Sequence, residues 1–140
     1  YENNEEANKT AFINGWFRTG DQGHFDDEGY LKISGRLKEI INRGGEKVSP
    51  LEIDNILMEH EAVEQVVTFA VKDSLLGEAI GVAIVLKFGI DCDERDIKNY
   101  AGLHLADFKI PKYIRFLKEI PKGATGKLQR IGLAEKLGLE

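Results

Sequence analysis

The sequence has few features of secreted or membrane proteins. Cys92 is the only cysteine among 140 residues, which excludes an intrachain disulfide and a cysteine-based metal cluster. No apolar run reaches the length of a membrane span, and the polar start does not resemble a secretory signal peptide. We therefore expect no membrane span. The lone cysteine fits a reducing compartment, and we expect the cytoplasm.

The chain also lacks the excess of positive charge that general nucleic-acid binding requires. Its formal net charge is -5 at pH 7, so we expect no nucleic-acid partner. The charge is uneven, because residues 109–130 contain seven basic side chains and a single acidic one. This segment suits a polyanion such as a nucleotide or a coenzyme, although an ordinary solvated face has the same composition.

Turn residues and apolar runs predict strands and helices in mixed order. An Asp- and Gly-rich turn at residues 26–29 separates two short runs typical of a β-hairpin, and residues 1–14 look like a polar surface segment. Segments rich in Val and Ile predict buried strands. The strands expected after the hairpin are residues 39–42, 63–73, 78–88 and 113–117.

Three helices are predicted among these strands. Ser49 and Pro50 form a helix start, with Glu52 in the position that completes a capping box. Asp93 predicts the N-cap of a second helix, and a short last helix is expected at residues 131–137. Because strands and helices do not alternate strictly, we expect an α+β fold with a mostly antiparallel central sheet flanked by helices.

Two glycine-containing loops are candidate ligand sites. Residues 35–50 place Gly44 and Gly45 among basic side chains, and paired glycines admit a ligand close to the main chain. Residues 121–127 form a flexible loop ending in Lys127, whose cation suits negative charge on a phosphoryl or carboxyl oxygen. Local composition alone leaves a solvated turn and an exposed lysine as alternatives.

Several other signature motifs are incomplete. A phosphate-binding loop needs glycine where Pro121 stands and serine or threonine where Leu128 stands. A zinc-protease helix needs a second histidine where Glu64 stands. A calcium loop starting at Asp91 lacks its third ligand and its glycine. We expect no metal site, and no nucleophilic role for Cys92, because neighbouring aspartates raise its pKa.

Three motifs in sequence order resemble those of the adenylate-forming superfamily of acyl-CoA synthetases, aryl-CoA ligases, luciferases and adenylation domains of peptide synthetases. Residues 16–21, Trp-Phe-Arg-Thr-Gly-Asp, are similar to its Trp-(Tyr/Phe)-Arg-Thr-Gly-Asp motif. Residues 35–54 resemble its hinge motif, and residues 121–130 resemble its closing P-x-x-x-T-G-K-x-x-R motif. Residues 42–50 are particularly similar to acyl-CoA synthetases of the oxalate and medium-chain types.

The resemblance implies the C-terminal part of an ATP-dependent acid–CoA ligase of the kind found in fatty acid metabolism. In such enzymes a carboxylate attacks the α-phosphate of Mg-ATP to give an acyl-adenylate. The thiol of coenzyme A then displaces AMP, and a small lid domain rotates between the two steps. The implied partners are a carboxylic acid, ATP with Mg²⁺ and coenzyme A, all bound mainly by the enzyme's own large N-terminal domain.

The same resemblance implies where the two domains meet. Residues 1–37 would be the tail of the large domain, residues 38–140 the lid, and Lys38 the hinge, a position where many members have aspartate. Asp21 would bind the ribose hydroxyls and Arg36 would support the nucleotide. Since the large domain is absent and the first residue is not Met, we expect a fragment that is inactive by itself.

Two loops of the lid would then serve the two steps. Lys127 would stabilise charge at the α-phosphate and the carboxylate during adenylation. After rotation Gly44 and Gly45 would line the coenzyme A tunnel, with Arg43 and Lys47 as further coenzyme contacts. Two other functions stay open: an adenylation domain that loads a carrier-protein thiol, and a non-catalytic nucleotide- or partner-binding module.

Overall fold

Two separate units form the chain. In the computed structural model, which describes residues 2–139, one unit ends at Lys38 and the other begins at Glu39. The expected domain boundary, between residues 37 and 38, lies one residue earlier. The assignment of the two units to a large domain and a lid stays a prediction.

The first unit consists of a short helix and two antiparallel hairpins. Its elements are α1 (Glu5–Ala11), β1 (Phe12–Ile13), β2 (Trp16–Phe17), β3 (Asp21–Phe25) and β4 (Leu31–Arg36). β1 pairs with β2, and β3 pairs with β4. The β3–β4 pairing confirms the hairpin predicted around residues 26–29. In that turn the Asp26 carboxylate accepts hydrogen bonds from the amides of Glu28 and Tyr30 at 3.1 and 2.9 Å.

Helix α1 was not predicted from the polar segment at residues 1–14. None of its residues is buried, which agrees with the expected surface location. Its start is stabilised locally, because the Asn4 side chain accepts a hydrogen bond from the Ala7 amide at 3.0 Å. Glu5 and Glu6 in the first turn also interact favourably with the helix dipole.

The second unit is a five-stranded sheet with helices. Its elements are β5 (Ile41–Arg43), β6 (Glu46–Val48), α2 (Pro50–Met58), β7 (Val63–Asp73), β8 (Gly77–Leu86), α3 (Glu94–His104), β9 (Tyr113–Phe116) and α4 (Leu133–Lys136). The strand order is β6-β5-β8-β7, with β9 also beside β8. Only the β8–β9 pair is parallel, so the expected α+β fold with a mostly antiparallel sheet is confirmed. The strand expected at residues 39–42 begins later, because Leu37–Glu39 form a 3-10 turn.

Both faces of the β7–β8 pair are buried. Alternate residues of a strand point to opposite faces, so Val66 and Val67 belong to different apolar clusters. The first cluster packs the sheet against α2 and α3, and the second packs it against the segment around α4. Burial on both faces explains why these strands read as nearly continuous apolar runs.

The two main helices start differently from one another. At α3 the predicted cap is confirmed, because Asp93 and Asp96 form a reciprocal capping box. At α2 the predicted capping box is wrong, since the Ser49 side chain makes no capping hydrogen bond. The Glu52 carboxylate instead binds the ammonium of Lys109 at 2.8 Å. A lysine 57 residues away in sequence thus replaces the local partner.

Replacing Gly81 with alanine should destabilise the second unit by about 1–3 kcal/mol. A Cβ atom at this position in β8 would lie 2.7 Å from Phe69 Cε2 and 2.9 Å from Val71 Cγ2. Phe69 is fully buried and cannot move aside without disturbing the core. Urea unfolding followed by far-UV circular dichroism measures the change, because the single tryptophan, Trp16, lies in the first unit.

Gly102→Ala is the matched control for this experiment. Gly102 is exposed on α3, where an added Cβ atom would meet only Ile110 Cδ1, at 3.6 Å. Alanine stabilises a helix relative to glycine by about 0.5–1 kcal/mol, so this variant should be neutral or more stable. Equal destabilisation by both substitutions would contradict the close packing described at Gly81.

Candidate functional site

The loop that carries Lys127 is a small hairpin closed on itself. Lys122 pairs with Leu128 as an isolated antiparallel bridge. The Gly123 amide donates to the Lys127 carbonyl at 2.9 Å, and the Gly126 amide donates to the Gly123 carbonyl at 2.9 Å. Lys127 is exposed, and its ammonium makes no hydrogen bond or ion pair with any residue between 2 and 139. Its cation is therefore available to a ligand.

The glycine pair forms the turn between β5 and β6. Gly44 and Gly45 have φ angles of 59° and 96°, a region that favours glycine over residues with a Cβ atom. The Gly44 amide donates to the Leu76 carbonyl at 2.8 Å, and the Gly45 amide donates to the Asn42 side chain at 3.1 Å. The turn is exposed, yet its backbone is fixed by these hydrogen bonds.

The turn between β7 and β8 holds the glycine turn in place through hydrogen bonds. Leu76, whose carbonyl receives the Gly44 amide, has its own amide held by the Asp73 carboxylate at 3.0 Å. On the other side, the Glu78 carboxylate accepts a hydrogen bond from the Asn42 amide at 2.6 Å. Two side chains of one long hairpin therefore determine the position of the glycine turn.

Asp73 also forms an ion pair that its surroundings strengthen. Its carboxylate lies 2.7 Å from the ammonium of Lys112, and only 6% of its side chain is exposed. The hydrogen bond from Lys112 and those from the amides of Leu76 and Leu75 lower the pKa of Asp73 to about 2. The same contact raises the pKa of Lys112.

The two further coenzyme candidates do not share a face. In the β5–β6 hairpin Arg43 lies opposite Glu46, and Lys47 lies opposite Asn42. Because cross-strand partners share a face and neighbours along a strand do not, Arg43 and Lys47 point to opposite sides. Arg43 is half-buried and Lys47 is exposed. Both flank the glycine turn, but the hairpin does not bring them together.

The nucleotide candidates of the first unit do lie together. Asp21 and Arg36 are direct partners in the β3–β4 register, and their side chains approach to 3.3 Å. The Asp21 amide also donates to the Thr19 hydroxyl at 3.1 Å. Lys38, the hinge candidate, is exposed in the 3-10 turn after β4.

Arg130 is the centre of an ion-pair network that sequence reasoning missed. Its guanidinium contacts the carboxylates of Glu39 at 3.2 Å and Asp54 at 2.5 Å, and the carbonyl of Thr68 at 3.3 Å. The other Asp54 oxygen accepts the Thr68 amide at 2.7 Å. Burial raises the pKa of the Asp54 carboxyl, whereas Arg130 acts in the opposite direction. The only signal in the sequence was the arginine of the closing motif.

Cys92, His60 and His104 lie outside the two loops and outside the Arg130 network. Cys92 is half-buried, and burial together with Asp96 and Asp93 raises the pKa of its thiol. The His60 ring meets the Tyr100 ring in a T-shaped contact and the His104 ring meets it at a tilt, with ring centroids 4.8 and 4.5 Å apart.

Neither a metal site nor a membrane span is found in the described part of the chain. Residues 2–139 contain no group of three His, Cys, Asp or Glu side chains arranged to hold a metal ion. Over the same range, no helix has the length and apolar character needed to cross a membrane.

Comparison with known proteins identifies the family. The model of the AMP-binding enzyme C-terminal domain matches residues 52–127, more than half of the chain, and the match ends at Lys127. The chain belongs to the AMP-binding enzyme C-terminal domain family. The resemblance to this group of ligases that the three motifs indicated is therefore confirmed.

Individual relatives cover nearly the whole chain. Oxalate–CoA ligase of Saccharomyces cerevisiae is 48% identical over 137 residues, which are 96% of this chain and 25% of that protein. Among solved structures, amide bond synthetase McbA of Marinactinospora thermotolerans has a TM-score of 0.90 at 30% identity, covering 97% of this chain and 28% of its own. ATP-bound MatB of Rhodopseudomonas palustris has a TM-score of 0.86 at 32% identity, with coverages of 94% and 26%. The chain spans about a quarter of the length of the curated relatives it matches.

The Asp73 ion pair predicts a pH-dependent effect of Asp73→Asn. The pKa of this carboxyl falls from 3.8 to about 2 on folding, so its charged form stabilises the folded state. This contribution is complete at pH values well above 3.8 and is lost as the pH falls towards 2. The variant should therefore unfold at lower urea concentration than the parent chain at pH 6, with the difference shrinking as the pH approaches 2.

Asp91→Asn provides the control, since it removes the same charge from an exposed position. Its urea midpoint should follow that of the parent chain at every pH. A constant difference between Asp73→Asn and the parent from pH 6 to pH 2 would contradict the lowered pKa.

Proposed function

We propose that the chain is the mobile lid, with the preceding tail of the large domain, of an ATP-dependent acid–CoA ligase. The full-length enzyme would form an acyl-adenylate from a carboxylic acid and Mg-ATP, and then an acyl-CoA thioester. The observation that carries this proposal is the presence of two exposed loops with hydrogen-bonded backbones on one unit, in a chain of the AMP-binding enzyme C-terminal domain family. The name of the yeast relative, an oxalate–CoA ligase, supports the reaction class.

The two loops suit successive roles at a shared active site. Lys127 offers an exposed cation that is paired with no residue between 2 and 139, which fits charge stabilisation at the α-phosphate during adenylation. Gly44 and Gly45 offer a surface without side chains, which fits the narrow pantetheine arm of coenzyme A. A rotation about Lys38 would present the loops in turn. Arg43 and Lys47, on opposite faces of the glycine hairpin, would then serve different parts of the coenzyme.

The first unit suits a place within a larger domain. Its large apolar side chains are exposed, including Trp16 at 80%, Phe25 at 73% and Tyr30 at 68%. Such a concentration of exposed apolar surface normally marks an interface. We assign residues 1–37 on this basis to the large domain and residues 38–140 to the lid.

The nucleotide would meet the first unit at its ion pair. Asp21 would accept hydrogen bonds from the ribose hydroxyls, while Arg36 holds the carboxylate in place and faces the phosphates. Mg²⁺ would accompany the nucleotide and take its protein ligands from the large domain. The proposal includes a cytoplasmic location, which the single cysteine supports.

Free coenzyme A is the proposed acceptor of the second step. The matching part of an amide bond synthetase has nearly the same fold at 30% identity, so the fold of this region alone does not select the acceptor. A carrier-protein thiol is therefore the second candidate in place of free coenzyme A. Supplying the full-length enzyme with both thiols, after adenylate formation, distinguishes the two.

Removing the Lys127 cation should slow one half-reaction selectively. In the full-length enzyme, Lys127→Ala should raise the barrier for adenylation by about 2–4 kcal/mol, the cost of losing a charge-stabilising donor. Thioester formation from preformed acyl-adenylate should change little. Acid-dependent ATP–pyrophosphate exchange measures the first step, and single-turnover thioester formation measures the second.

Gly45→Ala is the complementary variant. At a φ of 96° alanine strains the turn, and its methyl group narrows the space offered to the coenzyme. We expect it to slow thioester formation and to leave pyrophosphate exchange nearly unchanged. If each variant slowed both half-reactions equally, the assignment of separate loops to separate steps would be refuted.

The same pyrophosphate-exchange assay can identify the substrate acid. A panel that runs from oxalate through medium-chain to long-chain fatty acids should give pyrophosphate exchange with at least one member. If no acid in the panel supported exchange, a non-catalytic nucleotide- or partner-binding role would replace the ligase assignment.

A further inference from the structure

We infer that Arg130 is a positioning residue that holds the Lys127 loop in the position required for adenylation. The inference rests on the proposed role of Lys127 and adds a residue that acts through the loop carrying that lysine. Its basis is a set of two ion pairs and one hydrogen bond, which join the end of the loop to three other segments of the same unit.

The loop depends on its two ends for its position. Residues 124–129 are all exposed, and the hydrogen bonds within the hairpin run between its own residues. On the upstream side Ile120 is buried in the second apolar cluster. On the downstream side Arg130 is the first residue whose side chain is held by the core. The hairpin therefore projects between one apolar anchor and one ionic anchor.

The position of the Arg130 side chain, the ionic anchor, is well defined. The Arg130 side chain is only 19% exposed, and its partners are Glu39, Asp54 on α2 and Thr68 on β7. Because the guanidinium is planar and its donors are rigidly arranged, contacts to three segments fix its orientation as well as its place. Lys127 lies three residues before this anchor.

One of the anchor's partners also lies beside the hinge candidate. Glu39 opens the second unit directly after Lys38, and its carboxylate contacts Arg130 Nε at 3.2 Å. The residue that follows the hinge is thus tied to the segment that follows the loop. Arg130 transmits the position of the hinge end of the lid to the loop that carries Lys127.

The expected effect follows from the precision that catalysis requires. Misplacement of a catalytic group by about 1 Å can cost on the order of 100-fold in rate. Arg130→Lys keeps the charge but cannot reproduce three contacts of the planar fork. In the full-length enzyme this variant should slow ATP–pyrophosphate exchange by about 10- to 100-fold. Glu39→Gln, which removes one ion pair and leaves the other contacts, should slow it by about two- to fivefold.

Thioester formation from preformed acyl-adenylate separates positioning from general damage. It uses the glycine turn, which Arg130 does not contact, so both variants should keep it within about threefold of the parent rate. Lys109→Gln is the matched control, because it removes a cation from another ion pair of the same unit. It should alter neither half-reaction.

A double variant tests whether Arg130 acts through Lys127. In the Lys127→Ala enzyme there is no cation left to position, so adding Arg130→Lys should lower pyrophosphate exchange by less than about twofold. Independent, multiplying effects of the two substitutions would overturn the inference. So would an equal loss in both half-reactions for Arg130→Lys.

Backbone hydrogen exchange gives a readout that does not depend on the reaction. In Arg130→Lys the amides of Gly123 and Gly126 should exchange at least about tenfold faster, while those of the β7–β8 pair keep the parent rate. Unchanged loop amides, or faster exchange throughout the sheet, would also overturn the inference. If no acid supports ATP–pyrophosphate exchange, the proposed ligase function fails. Backbone hydrogen exchange then still decides whether Arg130 holds the loop.

Discussion

The antiparallel pairing of β7 with β8 is the constraint on which the second unit depends. The two strands pair along nearly their whole length and are buried on both faces, so helices and loops are added to a rigid platform. One end of this hairpin, through Leu76 and Glu78, fixes the glycine turn. The middle of β7, through Thr68, receives Arg130 and with it the segment after the Lys127 loop. Two exposed loops far apart in sequence thereby share one support.

The parts of the fold that local chemistry determines were predictable from the sequence. The Val- and Ile-rich strands, the turn at Asp26 and the cap at Asp93 were each indicated by residues within a few positions of one another. Helix α1 was missed because its few polar residues carry no apolar periodicity. The capping box predicted at Glu52 was wrong because Lys109 binds its carboxylate, and such a competing partner is visible only after folding.

The candidate site divides in the same way. The three motifs identified the Lys127 loop, the glycine turn and the Asp21–Arg36 pair, and for that last pair the register of one hairpin explains the contact. The network around Arg130 was not predictable, since its partners are separated from it by 62 to 91 residues. Periodicity and turn chemistry carry no information at that range. The residue roles at both loops rest on the family resemblance and stay proposals.

The Arg130 network also covers part of an open edge of the sheet. β7 is the last strand in the order β6-β5-β8-β7, and its length makes it a template for pairing with a second chain. At Thr68 that edge is closed, because the Asp54 carboxylate accepts a hydrogen bond from the Thr68 amide and Arg130 donates one to the Thr68 carbonyl. A neighbouring strand would satisfy the same two backbone groups. The ion pair imitates a strand without extending the sheet. Loss of either side chain would open this edge to intermolecular association, so aggregation is the failure expected of a lid that loses this pair.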